Sequence, residues 1–133
     1  MTKYCTDGKY GVVDDKTVLD PEDDVAHVKW GGSWRMPTKA ELDELCNNCT
    51  WSWTTLNSVN GCKVTSKTNG NSIFFPVAGD RYGTHRGSDG NYWSGSLDGS
   101  SSHNAYLLFF YRGNYDWDYR NRCDGRSVRP VSK

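Results

Sequence analysis

Three histidines, five cysteines and a late cluster of carboxylates and guanidinium groups are the side chains here that could do chemistry. Histidine serves as a general base at neutral pH when a nucleophile or an orienting acid stands at a suitable spacing. His27 falls in a predicted helix, His85 in a glycine-rich loop and His103 after Ser100-Ser101-Ser102, and none has a Cys or Asp so placed. Cys46-Asn-Asn-Cys49 has the spacing of a zinc or redox pair but lacks a second pair. Cys46 also lies on the apolar side of a predicted helix, where a thiol behaves as a small buried hydrophobe. An odd cysteine count excludes a fully paired disulfide framework within one chain. No nucleophile, base or metal constellation emerges, so neither an enzyme nor a cofactor is expected.

The composition points elsewhere. From Asn69 to Ser132 the chain contains no Lys, Glu, Gln or Met, whereas its first half uses Lys and Glu freely. The second half is rich in Tyr, Asp, Asn, Arg, Ser and Gly, the vocabulary of antibody paratopes. Tyr gives rigid amphipathic contact area at low entropic cost, and Ser, Gly and Asn give adaptable hydrogen bonds. The split describes a scaffold that carries a binding surface. Basic and acidic residues balance at 16 each, so bulk charge implies no nucleic-acid partner. No apolar run reaches membrane-span length and no signal-peptide core follows Met1, so no direct membrane insertion is expected.

The elements that must position this surface follow from local signals. A length of 133 residues fits a single domain. Asp20-Pro21-Glu22-Asp23-Asp24 predicts a helix start, with Asp20 as cap and Val25, Ala26, Val28 and Trp30 on the apolar side up to Gly31-Gly32. Thr38-Lys39-Ala40-Glu41 is a capping box that opens a second helix, with Leu42, Leu45 and Cys46 on one face. Lys63–Lys67 and Ser72–Phe75 flank an Asn-Gly connection and predict a hairpin. Residues 79–90 show no periodicity. Asn91–Ser94, Ala105–Phe110 and Ser127–Val131 are predicted strands, while 114–122 reads as a loop or irregular ribbon. Two helices followed by short antiparallel strands make an α+β fold.

An ordered set of motifs resembles one family. Trp30-Gly31-Gly32-Ser33-Trp34-Arg35-Met36-Pro37-Thr38, Gly70-Asn71-Ser72-Ile73-Phe74-Phe75-Pro76, Tyr92-Trp93-Ser94 and Ser127-Val128-Arg129-Pro130-Val131 are similar to the Fibrobacter succinogenes major paralogous domain group of gut Bacteroidales and their phages. The resemblance spans about Asp20 to Val131. It implies a C-type-lectin-like fold related to formylglycine-generating enzyme, over a single domain 1–133. It also implies kinship with the variable proteins of diversity-generating retroelements. There, template adenines become random bases, usually in Asn codons. Such codons can yield Tyr, Asp, Ser, Arg, Gly, His, Leu, Phe or Cys, but not Lys, Glu, Gln, Met or Trp. The stretch Tyr106 to Arg126 fits, with Trp117 as its one exception, read as an invariant scaffold position. An ordinary non-diversified relative stays an alternative. The reactive late cysteine pair of formylglycine-generating enzymes is not matched, since only Cys123 lies there. The Glu-Pro-Asn and Gln-Pro-Asp triplets of calcium-dependent lectins are absent, which disfavours a calcium site at Asp116 and Asp118.

Strand alternation places Tyr106, Leu108 and Phe110 on one side and Leu107, Phe109 and Tyr111 on the other. The resemblance assigns Leu108 and Phe110 to the core, leaving Leu107, Phe109 and Tyr111 as an exposed row unless both faces are buried. Tyr115, Asp116, Asp118, Tyr119 and Arg120 extend it, and Asp124 and Arg126 return toward it along the last strand. One contiguous exposed patch is expected, with Trp34 and Trp93 buried in the scaffold. The expected function is ligand binding of the receptor-binding or adhesin type, to a protein or glycan on a cell surface. The setting would be a secreted or surface-attached longer chain, or a phage virion. The alternatives are a carbohydrate-binding module and a structural module of a surface or fimbrial protein.

Overall fold

The computed structural model describes residues 1–82, 85–86 and 88–133, with side chains omitted at Tyr82, His85 and Arg86. It is an α+β structure with two helices and mostly antiparallel strands. Helix α1 spans Val25–Trp30 and α2 spans Lys39–Asn48. Strands β1 (Cys49–Leu56), β2 (Val59–Ser66) and β3 (Ser72–Pro76) form one antiparallel sheet. Strands β4 (Asp80–Tyr82), β5 (His85–Arg86) and β9 (Gly125–Arg126) form a small second sheet in the order β5-β4-β9. Strands β6 (Gly90–Leu97), β7 (Asn104–Tyr111) and β8 (Asn114–Asn121) form the third, with β8 at its edge. No helix among the described residues is long and apolar enough to cross a membrane.

Helix α2 begins where the capping box places it. Thr38 Oγ1 accepts from the Glu41 amide, and the Glu41 carboxylate accepts from the Thr38 amide at 2.8 Å. Arg35 clamps the same carboxylate with two bonds of 2.7 and 2.8 Å. This bidentate pair is the main cause of a Glu41 pKa pulled down to about 2, with the Thr38 bonds adding to it against the opposing effect of burial. A depressed carboxylate stabilises the fold above its unfolded pKa and loses that contribution as pH falls through the folded value. Glu41→Gln is therefore expected to destabilise by about 1–2 kcal/mol at pH 7, after solvent screening of a half-exposed pair. The gap to the parent should close between about pH 4.5 and 2. Denaturant titrations of both proteins across that range measure it, and a pH-independent gap would deny the clamp its role.

Helix α1 starts later than its sequence predicts. Asp24, not Asp20, is the cap: its Oδ1 accepts from the Ala26 and His27 amides, and its Oδ2 accepts from the Met36 amide at 2.8 Å. Asp20 instead closes the preceding turn, its carbonyl accepting from the Asp23 and Asp24 amides. Only Ala26 of the expected apolar side is buried; Val25, Val28 and Trp30 face solvent. Trp34 is 41% exposed and packs on Trp30, against its expected burial. Trp93 is half-buried.

The main core forms where α2 meets the two larger sheets. Leu42 from α2, Cys62 and Val64 from β2, Phe75 from β3, Tyr92 from β6, and Leu108 and Phe110 from β7 make one buried cluster. Close packing at Phe110 requires glycine opposite it, because a Cβ on Gly90 would lie 2.1 Å from the Phe110 ring. A second cluster of Tyr4, Leu97 and Ala105 covers the other face of β7. The β1–β2 hairpin turns through Asn57 and Ser58, both at positive φ, as a type I′ turn demands. The expected hairpin of β2 and β3 is present, with Val64 opposite Ile73. The aperiodic segment 79–90 carries β4 and β5, and Gly83, Thr84 and Gly87 lie outside the described residues. The expected last strand is reduced to β9, a parallel bridge from Ser127 to Tyr92 and an antiparallel bridge from Val131 to Arg35.

Candidate functional site

The segment read as a loop, 114–122, is a regular strand. Each β8 residue from Asn114 to Asn121 faces a β7 partner, from Tyr111 back to Asn104, with no bulge. Arg112 and Gly113 make the turn, and Gly113 supplies its positive φ. Asp and Asn disfavour strands, but here they alternate with rings in Asn114-Tyr115-Asp116-Trp117-Asp118-Tyr119, a period of two. That period sends Tyr115, Trp117 and Tyr119 to the α2 side together with Tyr106, Leu108 and Phe110, their cross-strand partners. Asp116, Asp118 and Arg120 share the other side with Phe109, Leu107 and Ala105. Tyr115 stacks on Trp51 at 4.7 Å, and Trp117 lies under Lys39 Nζ at 3.8 Å and edge-on to Tyr106 at 5.6 Å.

The alternation also covers the free edge of this eight-residue strand. The Arg122 amide donates to the His103 carbonyl at 2.9 Å, so the even-numbered β8 residues continue the ladder to β7. The amides of Tyr115, Trp117 and Tyr119 then point off the edge. Each is capped by the preceding side chain: Asn114 Oδ1 at 2.9 Å, Asp116 Oδ1 at 2.8 Å and Asp118 Oδ1 at 2.8 Å. Free edge amides are a template for strand addition. The double variant Asp116→Ala, Asp118→Ala is expected to self-associate more than the parent in sedimentation velocity. Asp116→Asn, Asp118→Asn, which keeps both acceptor oxygens, should behave as the parent does. An alanine variant that sediments like the parent would contradict the capping role.

The expected recognition residues do not form one patch. Tyr111, Tyr115, Asp116, Tyr119 and Arg120 are exposed, and Phe109 and Asp118 are half-buried. By strand alternation Tyr111 and Arg120 nevertheless project from the opposite sheet face to Tyr115 and Tyr119, and only at the hairpin tip do Tyr111 and Tyr115 meet, lining one small cavity with Trp51. Phe109 stacks on Tyr111, and Asp118 pairs with Arg120 at 2.5 Å. Leu107 is 1% exposed, because the sheet is covered on both faces at that position. Asp124 and Arg126 also turn inward. The Arg126 side chain is 4% exposed, pairs with Asp124 at 3.1 Å and Asp80 at 3.4 Å, and lies over the Trp93 ring. Its Nε and Nη1 have no hydrogen-bond partner among the described residues. These two residues hold β9 to β4 and the third sheet, a structural role.

The remaining chemical candidates lie apart from the hairpin or in its margins. All five cysteines are unpaired thiols, and burial is the first cause pushing Cys46 up to about 11, which favours its neutral thiol form at pH 7. His27 Nδ1 sits 3.2 Å from the Trp34 carbonyl, and His103 packs on Tyr10. The His85 side chain lies outside the described residues. Asp20, Glu22 and Asp23 cluster, but Lys3 and Lys16 pair with them.

Two clefts were not anticipated. The larger, about 540 Å³, runs between α2, β3 and the C-terminal segment over Leu42, Leu45, Ile73 and Phe75, with Arg129 at its rim. Nothing in the sequence pairs these distant residues. The smaller, about 350 Å³, lies at the open end of the β7–β8 hairpin on the α2 side, lined by Asp98, Ser100, Asn104, Tyr106, Trp117 and Tyr119. Strand alternation could have found it, since Asn104, Tyr106 and their β8 partners share one face.

No family model, no curated protein and no solved structure matches this chain.

Proposed function

We propose that this chain is a non-enzymatic ligand-binding domain of the receptor-binding or adhesin type. On this reading it is the variable protein of a diversity-generating retroelement, built on a C-type-lectin-like scaffold. The single observation that carries the proposal is the β7–β8 hairpin. It displays Tyr111, Tyr115, Tyr119 and Arg120 on a fully paired two-strand scaffold anchored by Leu108 and Phe110. Rigid rings and guanidinium groups on a fixed backbone are the residue types that carry binding energy at interfaces. Composition supports the same reading, since every residue of Tyr106 to Arg126 except Trp117 can arise from a randomised Asn codon. Trp117, held between Lys39 and Tyr106, has the contacts of a fixed position. Because the displayed residues occupy both faces and the tip of one hairpin, the partner would grip the hairpin from either side. Asp116 and Asp118 would contribute mainly by keeping the edge closed. The domain would act outside the cell or on a virion, as part of a surface protein.

The test is the neighbouring DNA. A near-identical repeat of the segment encoding Tyr106 to Arg126, differing only where it carries adenine, together with a reverse-transcriptase gene, is the expected finding. A complete flanking sequence lacking both would reject the retroelement reading.

A further inference from the structure

We infer that the smaller cleft at the open end of the β7–β8 hairpin is a calcium-independent subsite for a neutral saccharide ring. The inference deepens the ligand-binding reading and rests on it. It comes from which groups meet in the cleft and which of them are already occupied.

Three rings converge there. Tyr106 and Tyr119 are direct cross-strand partners, and Trp117 lies edge-on to Tyr106 at 5.6 Å. Tyr119 is 49% exposed, so its ring is open to a ligand. Polar groups surround the rings. Asp98 Oδ1 holds the turn by accepting from the Ser100 amide at 2.9 Å and the Ser100 hydroxyl at 2.7 Å. Asp98 is largely buried, at 7% exposed, but lines the cleft, and its Oδ2 makes no hydrogen bond to a described residue. The Asn104 amide lies on the same sheet face as Tyr106 and likewise has no partner among the described side chains. The chain thus sets a fixed acceptor and an amide beside aromatic faces. The cleft volume of about 350 Å³ falls in the range of small-molecule sites.

Charge decides the ligand class. Rings beside a carboxylate would suit a quaternary ammonium group, but Lys39 Nζ already occupies the cation position. It lies 3.8 Å from the Trp117 centroid and 5.9 Å from that of Tyr106, held by Asp43 at 2.8 Å. A second cation would be repelled by Lys39, and an anion by Asp98. A neutral polyhydroxylated ring meets neither cost. Its C–H face can lie on Tyr119, and its hydroxyls can donate to Asp98 Oδ2 and exchange bonds with Asn104. The two lone pairs of that carboxylate oxygen suit a pair of adjacent hydroxyls.

The experiment is a titration of ¹⁵N-labelled protein with the methyl glycosides of glucose, galactose, mannose and N-acetylglucosamine, followed by amide and indole spectra. At least one glycoside is expected to shift the Trp117 indole N–H and the Ser100 and Asn104 amides, with a Kd of about 1–10 mM, the scale for a single ring without a metal. EDTA should leave the shifts unchanged. Tyr119→Ala and Asp98→Asn should each weaken binding at least tenfold, while Tyr111→Ala, on the opposite face, should not. Tyr119 is exposed, so its variant keeps the test valid should Asp98→Asn fail to fold. The inference is overturned if none of the four glycosides moves these signals, or if the shifts survive Tyr119→Ala. Neither outcome bears on the template repeat, so failure here is distinguishable from failure of the retroelement reading.

Discussion

Phe110→Ala is expected to lower stability by about 3–5 kcal/mol, the usual cost of deleting a large aromatic side chain from a closed core. Phe110 is 0% exposed and sits among Trp51 at 5.7 Å, Phe75 at 6.1 Å and Tyr92 at 6.1 Å. These rings come from three different strands, so none can follow the retreating side chain without moving its backbone. Gly90 also lies against the ring, and with no side chain of its own it cannot refill the space. The neighbouring Tyr111→Ala, one residue on and on the opposite face, should change stability by no more than about 0.5 kcal/mol. Urea unfolding of the two variants measures the contrast. Equal losses would mean that the hairpin is not a buried scaffold with displayed residues attached.

Asp24→Ala is expected to cost about 2–4 kcal/mol. One carboxylate serves three backbone amides, two at the start of α1 and one at Met36. Losing a cap costs about 0.5–2 kcal/mol, and an orphaned buried amide adds about 1–3 kcal/mol. The Met36 bond matters most to the fold, because it ties the segment leading into α2 to α1 across twelve positions. Asp24→Asn keeps one acceptor oxygen and should recover about half of the loss. Thermal and urea unfolding of the pair decide it, and an alanine variant as stable as the parent would show that α1 is held by other contacts.

The parts of the fold with a chemical signature were legible before the structure. The Thr38-Glu41 capping box fixes the start of α2, and Leu108 and Phe110 are core residues, as the resemblance implies and the strand period alone does not decide. The α1 start was misplaced because Asp20 and Asp24 carry the same side chain. Only the distant Met36 amide selects Asp24, and that is a tertiary contact. Strand β8 was obscured because Asp and Asn read as turn formers by composition. Their alternation with Tyr and Trp stops at Tyr119, too short a run to mark a strand by itself, and its meaning comes from edge amides that need capping. The proposed surface was half legible. Sequence distinguishes displayed residue types from core types, but the direction of Arg126 depends on Asp80, Asp124 and Trp93, which no local pattern brings together. Leu107 could not be assigned without knowing that both sheet faces are covered there.

The most direct measurement is deep sequencing of this gene across the population that carries it. Amino-acid changes are expected to concentrate at the displayed hairpin positions Tyr111, Tyr115, Tyr119 and Arg120 and at half-buried Phe109. They should lie in the first two codon bases, while Leu108, Phe110 and Trp117 stay constant. Changes spread evenly along the chain, or a hairpin as invariant as α2, would contradict the retroelement reading.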